Sequence, residues 1–194
     1  MHPLNIPLDL THPGFALVFR FRSIHVGPSC SYASHDRGRT WRGPYAFAVE
    51  GIDEISTRTG DGVTGPRECL MFSSAAKADG REGRPFCART TDGGRGWRLV
   101  SLIGPEPPGF AIMPSTVRLP GGVPLTAIRH GDPGRRHDID VWRSDDEARH
   151  WTCLGPRRPT SAATRPTWYA CPTYGYRRPP CGIRSRISGD EGRS

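Results

Sequence analysis

Four stretches of this 194-residue chain gather side chains suited to holding an anion. They are Arg22-Ser23-Ile24-His25-Val26-Gly27, Lys77-Ala78-Asp79-Gly80-Arg81-Glu82-Gly83-Arg84, Arg129-His130-Gly131-Asp132-Pro133-Gly134-Arg135-Arg136-His137 and Tyr174-Gly175-Tyr176-Arg177-Arg178-Pro179-Pro180. Each supplies at least one Arg, and most add a His, Tyr or acid. A guanidinium presents a planar fork of donors that matches a carboxylate in two parallel hydrogen bonds. Several such forks on one cleft suit a carboxylate or another anion. Polar loops carry charge in any protein and Arg is frequent throughout this one, so the grouping has meaning only if the four stretches share a face. Metal chemistry has no comparable signal. Cys30, Cys69, Cys87, Cys153, Cys171 and Cys181 form no C-x-x-C pair, and no metal or other cofactor is expected. Cys69 and Cys87 sit in apolar or alternating runs and read as buried free thiols rather than a disulfide framework.

The element that orders these stretches is a repeat. Ser34-His35-Asp36-Arg37-Gly38-Arg39-Thr40-Trp41 has the form S-x-D-x-G-x-x-W. It returns as Thr90-Thr91-Asp92-Gly93-Gly94-Arg95-Gly96-Trp97 and as Ser144-Asp145-Asp146-Glu147-Ala148-Arg149-His150-Trp151. A fourth copy starts at Ser188-Gly189-Asp190 and reaches Ser194 where Trp is due. The four aspartates are 56, 54 and 44 residues apart. A period of about 50 residues is that of a four-stranded propeller blade. The motif is structural in its chemistry. Asp at the head of a turn accepts backbone N–H groups, Gly supplies a left-handed residue, and Trp wedges apolar surface between sheets. Asp36, Asp92, Asp146 and Asp190 are therefore expected to hold turns, with Trp41, Trp97 and Trp151 as wedges. Ala148 stands where Gly is expected, which makes the third hairpin the least ideal.

Blade three reads as strands at residues 115–119, 123–129, 138–143 and from Trp151, with 129–137 a polar loop. Blade two reads as strands at 67–73, 85–90 and 97–103, and blade one at 15–21, 29–34 and 45–49. The blade limits are about 9–50, 51–104, 105–156 and a truncated 157–194. Blade four is irregular, through either a deletion or local damage to the sequence. In such blades the motif turns share a rim with the strand one–two turns. The Arg-bearing loops, which join strands two and three, open on the other.

The formal charge of +8 does not mark a nucleic-acid surface. Residues 157–194 hold eight Arg against two acids, while the other 156 residues carry 19 basic and 17 acidic groups. No basic stripe interleaved with aromatics runs along the body. No run of 18 apolar residues exists, so no membrane span is expected. Met1–Leu10 lacks a basic stretch followed by an apolar one, so no signal peptide is read there.

The repeated motif resembles that of the Asp-box (BNR-repeat) family, best known from the sialidases. The stretches Gly65–Cys69, Ala75–Cys87, Ile112–Leu119 and Tyr174–Pro180 look like bacterial sialidase-like proteins of unsettled substrate. The resemblance covers roughly residues 9–194. It implies an all-β fold, a six-bladed propeller of which this chain holds about three and a half blades. The missing blades would be needed for closure, and the chain alone is expected to be marginally stable and inactive. It implies a glycosidase acting on an acidic sugar, with three Arg clasping the carboxylate, a Tyr nucleophile activated by Glu, and an Asp that protonates the leaving group. The candidates it points to are Arg67, Arg129 and Arg177 for the clasp, Glu68 and Asp79 for acid–base work, and Tyr176 for the nucleophile. The Phe-Arg-Ile-Pro segment that carries the family's first Arg is missing, since Phe19-Arg20-Phe21-Arg22 does not match it. Arg67-Glu68 reads equally as a strand-edge ion pair, and Tyr174 and Tyr176 as core aromatics at strand spacing. A non-catalytic propeller that binds a glycan or a protein is the alternative.

Overall fold

A computed structural model describes residues 1–21, 28–134 and 137–157. Every element among them is a β-strand. The first sheet is β1 (Ala16–Phe21), β2 (Ser29–Ser34) and β3 (Arg42–Phe47), in that order. The second runs β4 (Ile55–Val63), β5 (Cys69–Ala76), β6 (Glu82–Thr90) and β7 (Arg98–Leu102). The third runs β8 (Phe110–Arg118), β9 (Pro124–Gly131), β10 (Asp138–Arg143) and β11 (Thr152–Arg157). All neighbouring strands are antiparallel and follow chain order. The inner strands adjoin, β1 against β4 and β4 against β8. Meandering sheets stacked in this way are propeller blades, and the chain is an all-β partial propeller.

The middle sheet is buried on both faces. Successive side chains of a strand point to opposite faces. On β5, Cys69, Met71 and Ala75 enter one core cluster, while Leu70 and Phe72 enter the other. On β6, Phe86 and Ala88 join the first cluster and Cys87 the second. The register agrees, pairing Phe72 with Cys87 and Met71 with Ala88. The first cluster fills the space between sheets one and two with Ala33, Phe47, Val49 and Trp97. The second lies between sheets two and three, with Ile128 and Trp151. Among the described residues Cys30, Cys69, Cys87 and Cys153 form no disulfide. Burial, with a smaller push from Cys69, raises the Cys87 pKa far above that of a free thiol. Cys171 and Cys181 lie outside the described residues.

Each motif turn holds two consecutive left-handed residues: Arg37 and Gly38, Gly93 and Gly94, Glu147 and Ala148. The motif flags only the second of each pair. A left-handed non-Gly residue costs about 1–2 kcal/mol. The third turn carries two such residues, at φ 60° and 68°, so it is the most strained. The two respond differently to relief. Glu147 is exposed, and its contacts with Arg89 and Arg149 are long at 3.8 and 4.0 Å. Ala148 is fully buried in the second core cluster, where its methyl contributes about 0.8 kcal/mol. Glu147→Gly should therefore stabilise the protein by about 1 kcal/mol, while Ala148→Gly stays near neutral. Thermal unfolding of the two variants checks this, and equal gains would contradict it.

Some strands depart from expectation. β4 was not foreseen, because Gly60-Asp61-Gly62 looks like turn chemistry. It is nevertheless paired with Phe72, Met71 and Leu70 of β5. β8 starts at Phe110, not 115, with a register shift between Ile112 and Ser115. β9 extends to Gly131, so Arg129 and His130 belong to a strand, not to the loop assigned to 129–137. Arg129 is paired with Ile112 on one side and Ile139 on the other. That two-sided ladder overrides the local polarity. The third segment of blade one is Arg42–Phe47 rather than 45–49.

Candidate functional site

The blades present two rims. Gly93 N–H donates to the Arg67 carbonyl at 3.0 Å, which seats the β4–β5 turn beside the β6–β7 motif turn. Arg89 reaches Glu147 at 3.8 Å, so the third motif turn shares that rim. The β5–β6 turn, the residue 51–54 link and the β9–β10 turn lie at the other ends of their strands. β5 has eight residues, so the rims are roughly 23 Å apart at about 3.3 Å per residue.

On the motif rim the aspartates accept hydrogen bonds within their own turns. Asp36 Oδ1 accepts from Thr40 N–H at 2.9 Å, and Oδ2 from the Thr40 hydroxyl at 2.6 Å. Those bonds, with help from Ser34, hold its carboxyl well below the usual range. Burial works against the Asp92 charge, but Gly96 N–H and the Thr90 hydroxyl outweigh it, and its pKa is lowered. Asp146 is lowered by the N–H and then the ring of His150. In each turn the Ser or Thr two residues earlier also accepts from the second left-handed residue: Gly38, Gly94 or Ala148. Trp97 is buried edge-on against Phe19 and Phe47 of sheet one. Trp151 meets Phe72 of sheet two, and its Nε1–H donates to Ser101 Oγ at 2.9 Å. Each Trp thus packs on the preceding sheet. Trp41 has no preceding sheet among the described residues and stays 42% exposed, so it is not a wedge there.

Arg67 and Glu68 lie on this same motif rim. Arg67 is exposed, and Glu68 pairs with Arg89 at 3.3 Å. They are therefore not brought together with Asp79 or Arg129. Strand parity separates them, since the strand one–two turn and the strand two–three loop end on opposite rims. A cleft of about 680 Å³ is present here too, lined by Asp92, Trp97, Arg89, Glu50 and Arg98. Its cations are already matched, Arg98 to Glu50 at 3.0 Å and Arg89 to Glu68.

The opposite rim gathers the other candidates. Asp79 Oδ2 pairs with Lys77 Nζ at 2.9 Å, and Oδ1 accepts Arg81 N–H at 3.0 Å. The Lys77 bond and then the Arg81 bond lower its pKa, whereas a proton donor needs a raised one. Asp79 is built as a turn-holder. Beyond Gly83, where an added Cβ would stand 3.2 Å from the Lys77 side chain and from the Phe110 backbone, the third sheet presents Arg129. Its Cζ sits 5.4 Å from the Phe110 ring centroid, a cation–π distance. Its Nη2–H donates to His137 Nδ1 at 3.3 Å. Its Nε is buried and has no hydrogen-bond partner among the described residues. His130, the next residue of β9, projects from the opposite face of the sheet, with Nε2 3.1 Å from Asp132 and Nδ1 3.0 Å from Asp140. Burial raises the Asp140 pKa despite the opposing pull of His130.

His130 and Asp132 belong to the third Arg-bearing stretch, whereas Asp140 stands in the strand expected at 138–143. Asp140 lies diagonally across from His130, whose direct partner is Asp138. The alternation Asp138-Ile139-Asp140 was a signal that both acids share one face, but only the register says what they face. Tyr176, Arg177, Asp190 and the loops at 22–27 and 174–180 fall outside the described residues. Among the described residues no group of three or more His, Cys, Asp or Glu side chains could hold a metal.

No protein-family model matches the chain, and no curated protein does. The likeness to the Asp-box family thus rests on the repeated motif and the stretches Gly65–Cys69, Ala75–Cys87, Ile112–Leu119 and Tyr174–Pro180. Nine chains of solved structures are similar, two of them as follows. One is a protein of unknown function from Dyadobacter fermentans, with TM-score 0.53 and 16% identity over 71% of this chain. The other is fructan 1-exohydrolase IIa from Cichorium intybus in complex with 1-kestose, with TM-score 0.54 and 13% identity over 81% of this chain. The chain spans 44% and 32% of their lengths. At these identities the likeness is one of fold.

Proposed function

We propose that this chain is part of a glycosidase propeller acting on an acidic sugar, which is held at the rim that carries Arg129. The observation that carries this reading is the state of Arg129. It is a half-buried guanidinium, stacked on Phe110, with a buried Nε–H that has no partner among the described residues. A ligand carboxylate would satisfy that donor and neutralise the charge. Asp140 lies on the opposite face of sheet three from Arg129, beside His130, and takes no part in this site. The resemblance contributes Tyr176 as nucleophile and Arg177 as a second clasping residue. Arg67, Glu68 and Asp79 play no direct part in this version of the site. A fructan exohydrolase in complex with 1-kestose among the similar folds supports the carbohydrate class, and the acidic substrate follows from Arg129.

The test is turnover of fluorogenic sialosides and glucuronides by the full protein, with neutral glycosides alongside. Arg129→Ala should lower kcat/KM for the acidic substrates by about 10- to 100-fold, the worth of a hydrogen bond to a charged group. Neutral substrates should respond far less. No turnover of any acidic glycoside would sink the proposal.

A second reading, a non-catalytic glycan- or protein-binding propeller, is favoured by the occupied carboxylates. Glu68 is paired with Arg89, and Asp79 is held by Lys77 and Arg81. Glycan-array binding without hydrolysis would support it, and measured turnover would remove it.

A further inference from the structure

A second cleft lies between the residue 51–54 link and the face of sheet two, with a volume of about 500 Å³, within the range of about 300–1,000 Å³ usual for small-ligand sites. The Glu54 carbonyl accepts Ala76 N–H at 3.1 Å, which ties the link to the end of β5. One wall is apolar, made by Ile52, Leu99 and Leu102. The polar wall holds Asp53, Glu54, Lys77 and Arg84. Lys77, the chain's single lysine, has its side chain only 7% exposed and is taken up by Asp79. Arg84 Nη1 is taken up by Glu106 at 2.9 Å. What remains is one buried donor, Arg84 Nε, without a partner among the described residues. Beside it stand two carboxylates, Asp53 and Glu54, whose side chains have no hydrogen bond or ion pair among the described residues.

That inventory rejects an anion. Two cations face four carboxylates, so a carboxylate or phosphate would meet like charge and find no free guanidinium fork. It fits hydroxyl groups, each of which both accepts and donates. A hydroxyl can take the Arg84 Nε–H and give its own proton to Glu54 or Asp53. The apolar wall suits the C–H face of a ring. We propose that this cleft binds an uncharged sugar unit, through residues separate from the Arg129 site. It does not rest on the acidic-sugar reading above.

The probes are sucrose, maltose and cellobiose, with glucuronate and glucosamine as charged counterparts, titrated calorimetrically against the full protein. At least one neutral disaccharide should bind, and at least tenfold more tightly than glucuronate. Arg84→Lys keeps the charge facing Glu106 but removes the Nε donor, and should weaken that binding about tenfold, the worth of one hydrogen bond. The same variant should retain whatever turnover of acidic glycosides is measured, which separates this site from the Arg129 site. Glu54→Gln keeps the size and removes a charge, so it should narrow the gap between glucuronate and the neutral sugar. The proposal is overturned if no neutral sugar binds, if glucuronate or glucosamine alone binds, or if a folded Arg84→Lys protein binds as before. Should Arg84→Lys fail to fold, an unchanged glucuronate-to-disaccharide ratio in Glu54→Gln overturns it.

Discussion

Phe86→Ala should cost about 3–5 kcal/mol, among the largest losses open to a single substitution in this chain. Phe86 has no exposed surface and lies on β6, paired with Ser73 of β5 and Leu102 of β7. Its ring fills the first core cluster, where sheet two meets Phe47, Val49 and Trp97. Truncation removes the transfer free energy of a benzyl group. It also leaves a cavity that two paired neighbouring strands cannot close, since their hydrogen-bonded register fixes them. Against a usual stability of about 5–15 kcal/mol, the thermal midpoint should fall on the order of 10 °C. Phe86→Leu should recover most of the loss, since it returns volume without polarity. Differential scanning calorimetry of the two variants measures both. A loss under about 1 kcal/mol would mean that the interface between the first two blades is not packed as described.

Gly93→Ala should cost about 3 kcal/mol, although the equivalent positions in the other two turns hold Arg37 and Glu147. All three residues are left-handed, so a Cβ alone costs about 1 kcal/mol. The difference comes from the segment before β1. Leu8 N–H donates to the Gly93 carbonyl at 3.0 Å, and Leu10 N–H donates to the Pro66 carbonyl at 2.8 Å. These bonds lay the segment across the turn and bury Leu8 and Leu10 in the first cluster. A Cβ on Gly93 would stand 2.6 and 2.7 Å from the Leu8 oxygen and nitrogen, which are backbone atoms. The backbone must move, and overpacking of that kind adds about 1–3 kcal/mol. Gly80 is the control, because at φ 75° it has nothing within 4 Å of a built Cβ. Gly80→Ala should cost only the conformational part, about 1 kcal/mol. Urea unfolding of the two variants separates the contributions. Equal midpoints would show that the Leu8 segment does not rest on the turn.

The motif turns were legible because their chemistry is local. Ser34, Asp36, Gly38 and Thr40 satisfy one another within seven residues, and the same holds for the turns at Asp92 and Asp146. The two-faced burial of β5 was half visible in its unbroken apolar run, Cys69-Leu70-Met71-Phe72. β4 was invisible, since a Gly-Asp-Gly run is a turn signal unless a neighbouring strand supplies a ladder. The candidate site was legible only as a rim. Asp79 and Arg129 fell on it, whereas Arg67 and Glu68 were chosen by resemblance and fell on the other.

The sequence by itself determined the repeat, the turn residues and the strand alternation, because each depends on contacts within about ten residues. Tertiary structure alone decided which residues share a rim, which Arg keeps a free donor and which glycine bears no side chain. Arg129 Nε, Arg84 Nε and Gly93 are set by partners far along the chain: Phe110, Glu106 and Leu8. The physical reason is that local hydrogen bonds are encoded by residue type. The burial and charge environment of a group are instead properties of the space it is folded into.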